Sequence, residues 1–157
     1  MSATIFDDVA EFKATLPPMR PLAGLDFGDK TIGVALSDRL WGVASSLDTI
    51  RRKKFTLDAE ALLALLGKHE VGGIVLGLPR NMDGSEGPRC QKTRAFARNL
   101  TALTDLPITF WDERLSTVAA ERAMLEADMS RAKRAAKIDQ VAAAVILQGA
   151  LDRLGYL

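Results

Sequence analysis

Ile5, Val9, Phe12 and Leu16 recur at helical spacing, and Pro17-Pro18 then ends the run, because proline removes a backbone donor and crowds the preceding turn. The pattern predicts an appendage over residues 1–20, a short helix docked on the surface of the main domain. A single domain is expected over residues 21–157. It opens with three short apolar-rich runs, Leu22–Phe27, Ile32–Ser37 and Gly42–Ile50, parted by Gly28-Asp29-Lys30 and Asp38-Arg39-Leu40-Trp41. Both breaks have turn chemistry. Connections this short join only antiparallel neighbours, so the runs predict a three-strand meander.

From Thr56 the period lengthens. Thr56 suits an N-cap, Asp58 and Glu60 suit a first helical turn, and Leu62, Leu65 and Leu66 form an apolar face. Val71–Leu78 is a glycine-punctuated buried strand. Pro88 suits the first position of a helix running to about Ala102. Pro107–Trp111 is a fifth strand, and further helices are expected at about Thr117–Ala127 and Ile138–Leu154. The order predicts an α/β fold: a mixed five-stranded sheet, an antiparallel meander plus two parallel strands, with helices on both faces.

The 157 residues suffice for one well-buried core. Composition is ordinary for a globular protein, and the net charge is only +1, so nucleic-acid affinity has to come from local patches. A sole cysteine, Cys90, excludes an intramolecular disulfide framework and a multi-cysteine zinc site, and fits a reducing compartment. A sole histidine, His69, excludes chemistry built on paired histidines. The N-terminus lacks a basic segment followed by an apolar run, and no window nears the roughly 18 apolar residues of a membrane span. A cytoplasmic protein without membrane association is expected.

Carboxylates therefore carry the chemistry. Asp26 lies in the apolar run Leu22–Phe27, where burying a charge is costly unless it is paired or binds a metal; capping the turn at Gly28 is the structural alternative. Glu113 follows the fifth strand, at the kind of strand end where α/β sheets place their sites. It can alternatively pair with Arg114 or favour a helix N-terminus, and Asp112 competes for the same role. Asp139 shares a helical stripe with Ala142, Ala143, Ile146 and Ala150, small enough for a helix to lie close on a sheet; a first-turn acid favoured by the helix dipole is the alternative. Each acid is ambiguous alone. Together they make a set suited to magnesium, which prefers hard oxygen ligands and substrate phosphate.

Leu25-Asp26-Phe27-Gly28-Asp29-Lys30-Thr31-Ile32-Gly33-Val34-Ala35 with Ser37-Asp38 resembles the first signature of the YqgF/RuvX family. Gly77 to Ser85 resembles the second, Asp112 to Thr117 the third, and Ile138-Asp139 followed by Ala142-Ala143 the fourth. The resemblance spans residues 22–154. It implies an RNase H-like fold related to Holliday-junction resolvases, and a nuclease maturing the 5′ end of pre-16S ribosomal RNA. It also implies Asp26, Glu113 and Asp139 as catalytic metal ligands, with Mg2+ as cofactor and Mn2+ as a substitute. One departure is Thr31, where the family usually carries arginine after the lysine, here Lys30.

Substrate contacts are expected from Lys30, Asn81, Ser85 and Arg114, and from Arg131, Lys133, Arg134 and Lys137, a basic run leading into Asp139. Asn81, Asp83, Gly84 and Ser85 equally suit a purely structural turn. The run Arg51-Arg52-Lys53-Lys54 is evenly balanced between binding and a solvated face, and Arg94 with Arg98 extends the track. Asp26-Phe27-Gly28 spells a kinase tripeptide in a chain too short for a kinase. Packing is the simpler reading for Trp41, Trp111 and Cys90, and a surface position near a helix end for His69.

Three classes fit these residues: a nuclease acting on structured precursor rRNA, with branched DNA as the other substrate; a nucleotide-binding module built on the Asp26–Gly33 turn; and a noncatalytic ribosome-assembly factor. One ATPase-like lobe of 157 residues disfavours the second, and the retained acids disfavour the third. Monomer and homodimer both remain open.

Overall fold

A computed structural model of the chain describes residues 5–115 and 131–157, with the side chains of residues 131–137 outside the description. The elements are β1 (Ile5–Phe6), α1 (Val9–Thr15), β2 (Leu22–Phe27), β3 (Thr31–Ser37), β4 (Ala44–Arg51), α2 (Phe55–Lys68), β5 (Gly73–Leu78), α3 (Pro88–Leu100), β6 (Ile108–Asp112), a single 3-10 turn (Glu113–Leu115) and α4 (Arg131–Leu154). The helix expected at about Thr117–Ala127 lies outside the described residues.

The strands form one sheet in the order β1-β6-β5-β2-β3-β4. The meander β2-β3-β4 is antiparallel, and β5, β6 and β1 add in parallel. Six strands replace the expected five because the appendage contributes one: Ile5 pairs with Ile108 and Phe6 with Thr109. Two residues carry too little pattern to announce a strand. The open edge of β6 and the Thr109 hydroxyl, which donates to the Phe6 carbonyl at 2.8 Å, supply the partners. The helix consequently starts at Val9, capped by Asp8. Fully buried Phe12 anchors it, a contribution of about 1.5–3 kcal/mol for a large apolar side chain.

The strands divide the core by alternation. Leu25, Val34, Leu76 and Phe110 face α2 and α3; Leu22, Ala35, Val75 and Trp111 face α4 and α1. Within the described residues helix α4 covers Arg131–Leu154, so it is already under way before the expected Ile138, and its stripe Ala142, Ala143, Ile146 and Ala150 is buried as its spacing requires. Helix α2 starts at Phe55 with Lys54 as its N-cap, so Thr56 lies within the first turn. No side chain caps it; Asp58, inside the helix, instead reaches back to accept from the Lys53 N–H at 2.8 Å and ties the incoming chain to it. Among the described residues no helix is long and apolar enough to cross a membrane.

Candidate active site

The site is legible from three glycines. Asp26 is 2% exposed at the end of β2 and pairs with Gly33 across the β2–β3 ladder. On the other side, Leu25 pairs with Leu76, which brings Gly77 next to Asp26. Directly opposed residues share a face, and Asp26 alternates with Leu25, so its carboxylate and these two glycines all face α4.

A β-carbon on Gly33 would overlap the Asp139 carbonyl and lie 3.0 Å from the Asp139 β-carbon. Gly33 therefore admits the backbone of α4 directly beside Asp26. The same reasoning places the Asp139 carboxylate: its Oδ2 lies 3.7 Å from where a β-carbon on Gly28 would sit, and the Thr31 hydroxyl donates to it. Gly77 makes room on the opposite flank, where its β-carbon would meet Ile146 and lie 3.4 Å from the Glu113 carboxyl carbon. The row Gly77–Asp26–Gly33 thus carries Glu113 over one end and Asp139 over the other. Among the described residues, no three Asp, Glu, His or Cys side chains come together closely enough to hold a metal ion, so Asp26, Glu113 and Asp139 border one row without converging on a single point.

Strand alternation also separates Glu113 from its rival. Trp111 points toward α4, so Asp112 points away. Asp112 is gripped by Arg114, whose Nη2 donates to Oδ2 at 2.7 Å. That hydrogen bond, first among its causes, holds the Asp112 carboxyl below its usual range. Arg114 therefore pairs with Asp112, not Glu113. Its Nη1 also donates to the Met82 carbonyl at 3.2 Å, tying the β5–α3 loop to the end of β6.

That loop is closed on itself. The Asn81 side-chain amide donates to Ser85 Oγ at 3.0 Å, Ser85 Oγ donates to Asp83 at 2.6 Å, and Gly84 takes a positive φ of 89°. Arg94, expected on a phosphate track, is instead held by Glu86 through donors at 2.5 and 2.7 Å and stacks over Phe110. Arg98 is exposed. Arg131, Lys133, Arg134 and Lys137 lie on α4 ahead of Asp139, their side chains outside the description.

Arg52 has a role the basic run did not disclose. Its Nη1 donates to the carbonyls of Gly28 at 2.6 Å and Asp29 at 3.1 Å, and its guanidinium stacks on Phe27 at 4.3 Å. It locks the β2–β3 turn beneath Asp139. Cys90 is buried, and burial pushes its thiol up, the opposite of activation. Trp111 is buried against Gly149, and Trp41 donates to the Arg20 carbonyl at 2.7 Å, so both serve packing. His69 caps the C-terminus of α2.

A sheet of this order with a small-residue helix across its meander defines a resolvase-type RNase H-like fold. The Thermus thermophilus RuvC structure in complex with Holliday junction substrate superposes with a TM-score of 0.50, at 14% identity over 87% of this chain and 96% of that one. The yeast mitochondrial Holliday junction resolvase Ydc2 gives 0.53, at 11% identity over 92% and 84%. The family model for RuvX, described as Holliday junction resolvase, matches residues 20–153. The chain belongs to the RuvX family. A Ruegeria pomeroyi protein named "Putative pre-16S rRNA nuclease" is 72% identical over 153 residues, covering 98% of this chain and 99% of the relative. A protein of the same name from Ruegeria sp. strain TM1040 is 67% identical, covering 98% of each.

Proposed function

We propose that this chain is a cytoplasmic, divalent-metal-dependent nuclease that hydrolyses phosphodiester bonds in precursor small-subunit rRNA and matures its 5′ end. The observation that carries the reading is the acid row: a buried carboxylate flanked on both neighbouring strands by glycines, with a second and a third acid above them. The names of the family relatives support the RNA substrate.

The residues fit a hard cation. The donors are all carboxylates, and a side chain at Gly33 or Gly77 would occupy the space beside Asp139 and Glu113 on either side of Asp26. Asp26, Glu113 and Asp139 would hold Mg2+, or Mn2+ in its place. When bound, such ions activate water and stabilise the leaving oxygen of a phosphodiester. The chain's own part is to present these carboxylates on rigid strands and hold their orientation through Thr31. Lys30 contacts substrate beside them, as do Arg131, Lys133, Arg134 and Lys137, while Asn81, Ser85 and Arg114, bonded within the chain, hold the second-motif loop in place.

Cleavage of branched DNA is the second reading, favoured by the likeness to resolvase folds. Symmetric cutting of a junction calls for a two-fold dimer with two sites, whereas one protomer suffices for an RNA end. The test is side-by-side cleavage of precursor rRNA and a four-way DNA junction in Mg2+, with light scattering. The RNA is expected to be cut by a protein that scatters as a monomer. Paired cuts in the junction by a stable dimer that ignores the RNA would establish the resolvase reading instead. Cleavage of neither substrate would leave the noncatalytic assembly factor.

A further inference from the structure

The β2–β3 turn, Gly28-Asp29-Lys30, carries Thr31 and borders Asp139, and its surroundings are far more basic than the chain as a whole. A recess of about 240 Å³ on one flank is lined by Asp29, Lys30, Arg51, Arg52 and Lys53. A smaller one on the other flank is lined by Phe27, Gly28, Asp29, Arg89 and Lys92. Together the two linings hold six cations and one acid, in a chain whose net charge is only +1. The cations come from three places far apart in sequence: the turn, the end of β4 and the first turns of α3. Arg52 is committed to the turn's carbonyls. Lys30, Arg51, Lys53, Arg89 and Lys92 are exposed, and among the described residues none forms an ion pair.

We propose that this basic collar grips the phosphate backbone of the substrate strand as it leaves the acid row on the Asp139 side, with Arg51 and Lys53 on one flank of the turn and Arg89 and Lys92 on the other. The inference rests on the nuclease reading and adds four residues to it. Phosphates approaching three carboxylates are repelled, and cations set immediately beyond the row offset that repulsion while releasing counterions from the strand. Exposed cations carried on a strand end, a helix and a turn pinned by Arg52 keep their relative positions. Both flanks then act on one strand, because the turn between them is only three residues wide.

The test is binding of a fluorescein-labelled single-stranded RNA oligonucleotide in Ca2+, followed by anisotropy across a salt series. The variants are Arg51→Gln with Lys53→Gln, Arg89→Gln with Lys92→Gln, and a control of equal charge change, Arg20→Gln with Lys68→Gln, remote from the turn. Each collar pair is expected to flatten the log–log salt slope by about 1.4, at roughly 0.7 per lost single-strand contact. The control is expected to leave the slope at the wild-type value. Equal slopes in all four proteins, or an equal fall in the control, would overturn the collar. Melting temperatures matching wild type exclude misfolding, since all six side chains are exposed. Parallel Mg2+ cleavage separates the two claims. A flattened slope with no cleavage by the wild type keeps the collar and removes the nuclease; cleavage with unchanged slopes does the reverse.

Discussion

The two flanks of the acid row are built from the same residue types and use them in opposite ways. On the Glu113 flank, cations are neutralised internally: Arg114 by Asp112, and Arg94 and Arg80 by Glu86. On the Asp139 flank, Arg52 locks a turn and the cations around it have no acidic partner among the described residues. A basic residue in sequence announces a charge, not its use. The Glu113 flank spends its arginines on holding a loop and a strand end together, whereas the turn flank leaves its charges for something outside the chain.

The largest expected effect lies between the flanks. Asp26→Asn keeps the shape but removes the anionic ligand, and cleavage should fall at least about a hundredfold, roughly 2.7 kcal/mol in barrier, with RNA affinity retained. Steady-state cleavage and Ca2+-supported binding check both halves. Next come the glycines. Gly33→Ala sets a methyl against α4 backbone, while Gly77→Ala meets the flexible end of Ile146. Overpacking costs about 1–3 kcal/mol, and Gly33→Ala should lie at the upper end with Gly77→Ala well below it in urea unfolding. Equal costs would mean that α4 is not seated directly on Gly33.

Thr31→Val should reduce cleavage about tenfold, or 1.4 kcal/mol, because Asp139 loses its hydroxyl donor, and Thr31→Ser should restore it. A loss that serine does not rescue would assign Thr31 to packing. The smallest effect belongs to Arg114→Ala. Arg114 lowers the folded-state pKa of Asp112, so its stabilisation is present above the unfolded value, near pH 4, and fades as pH falls through the lower folded value. The stability gap between wild type and variant should therefore close in strong acid. A gap that stays constant across that range would point to the Met82 contact instead.

The sequence made the meander, the crossover helices and the small-residue stripe of α4 readable, because each rests on a period that repeats over several residues. It missed β1, which exists through backbone pairing with an edge. It also misplaced the α2 cap, where Asp58 reaches back from inside the helix. The three acids could be proposed from sequence, and the fold adds that Asp112, the rival of Glu113, is paired with Arg114 and lies on the face of β6 away from α4. The glycines at 33 and 77 looked like strand punctuation. Their use as clearance for Asp139 and Glu113 depends on which elements lie opposite, a tertiary fact. The basic runs were visible, yet their pairing was not: Arg94 and Arg52 are committed internally, and Arg89 and Lys92 meet the turn only in the fold.

Titration of Mn2+ by electron paramagnetic resonance into wild type and Asp26→Asn, with no nucleic acid present, reads out whether Asp26 is a metal ligand. Mn2+ binding by the wild type is expected, with at least tenfold weaker binding by the variant, a difference of about 1.4 kcal/mol, and matching melting temperatures without metal. Equal Mn2+ affinity in the two folded proteins would contradict the assignment of Asp26, Glu113 and Asp139 as one metal-binding row.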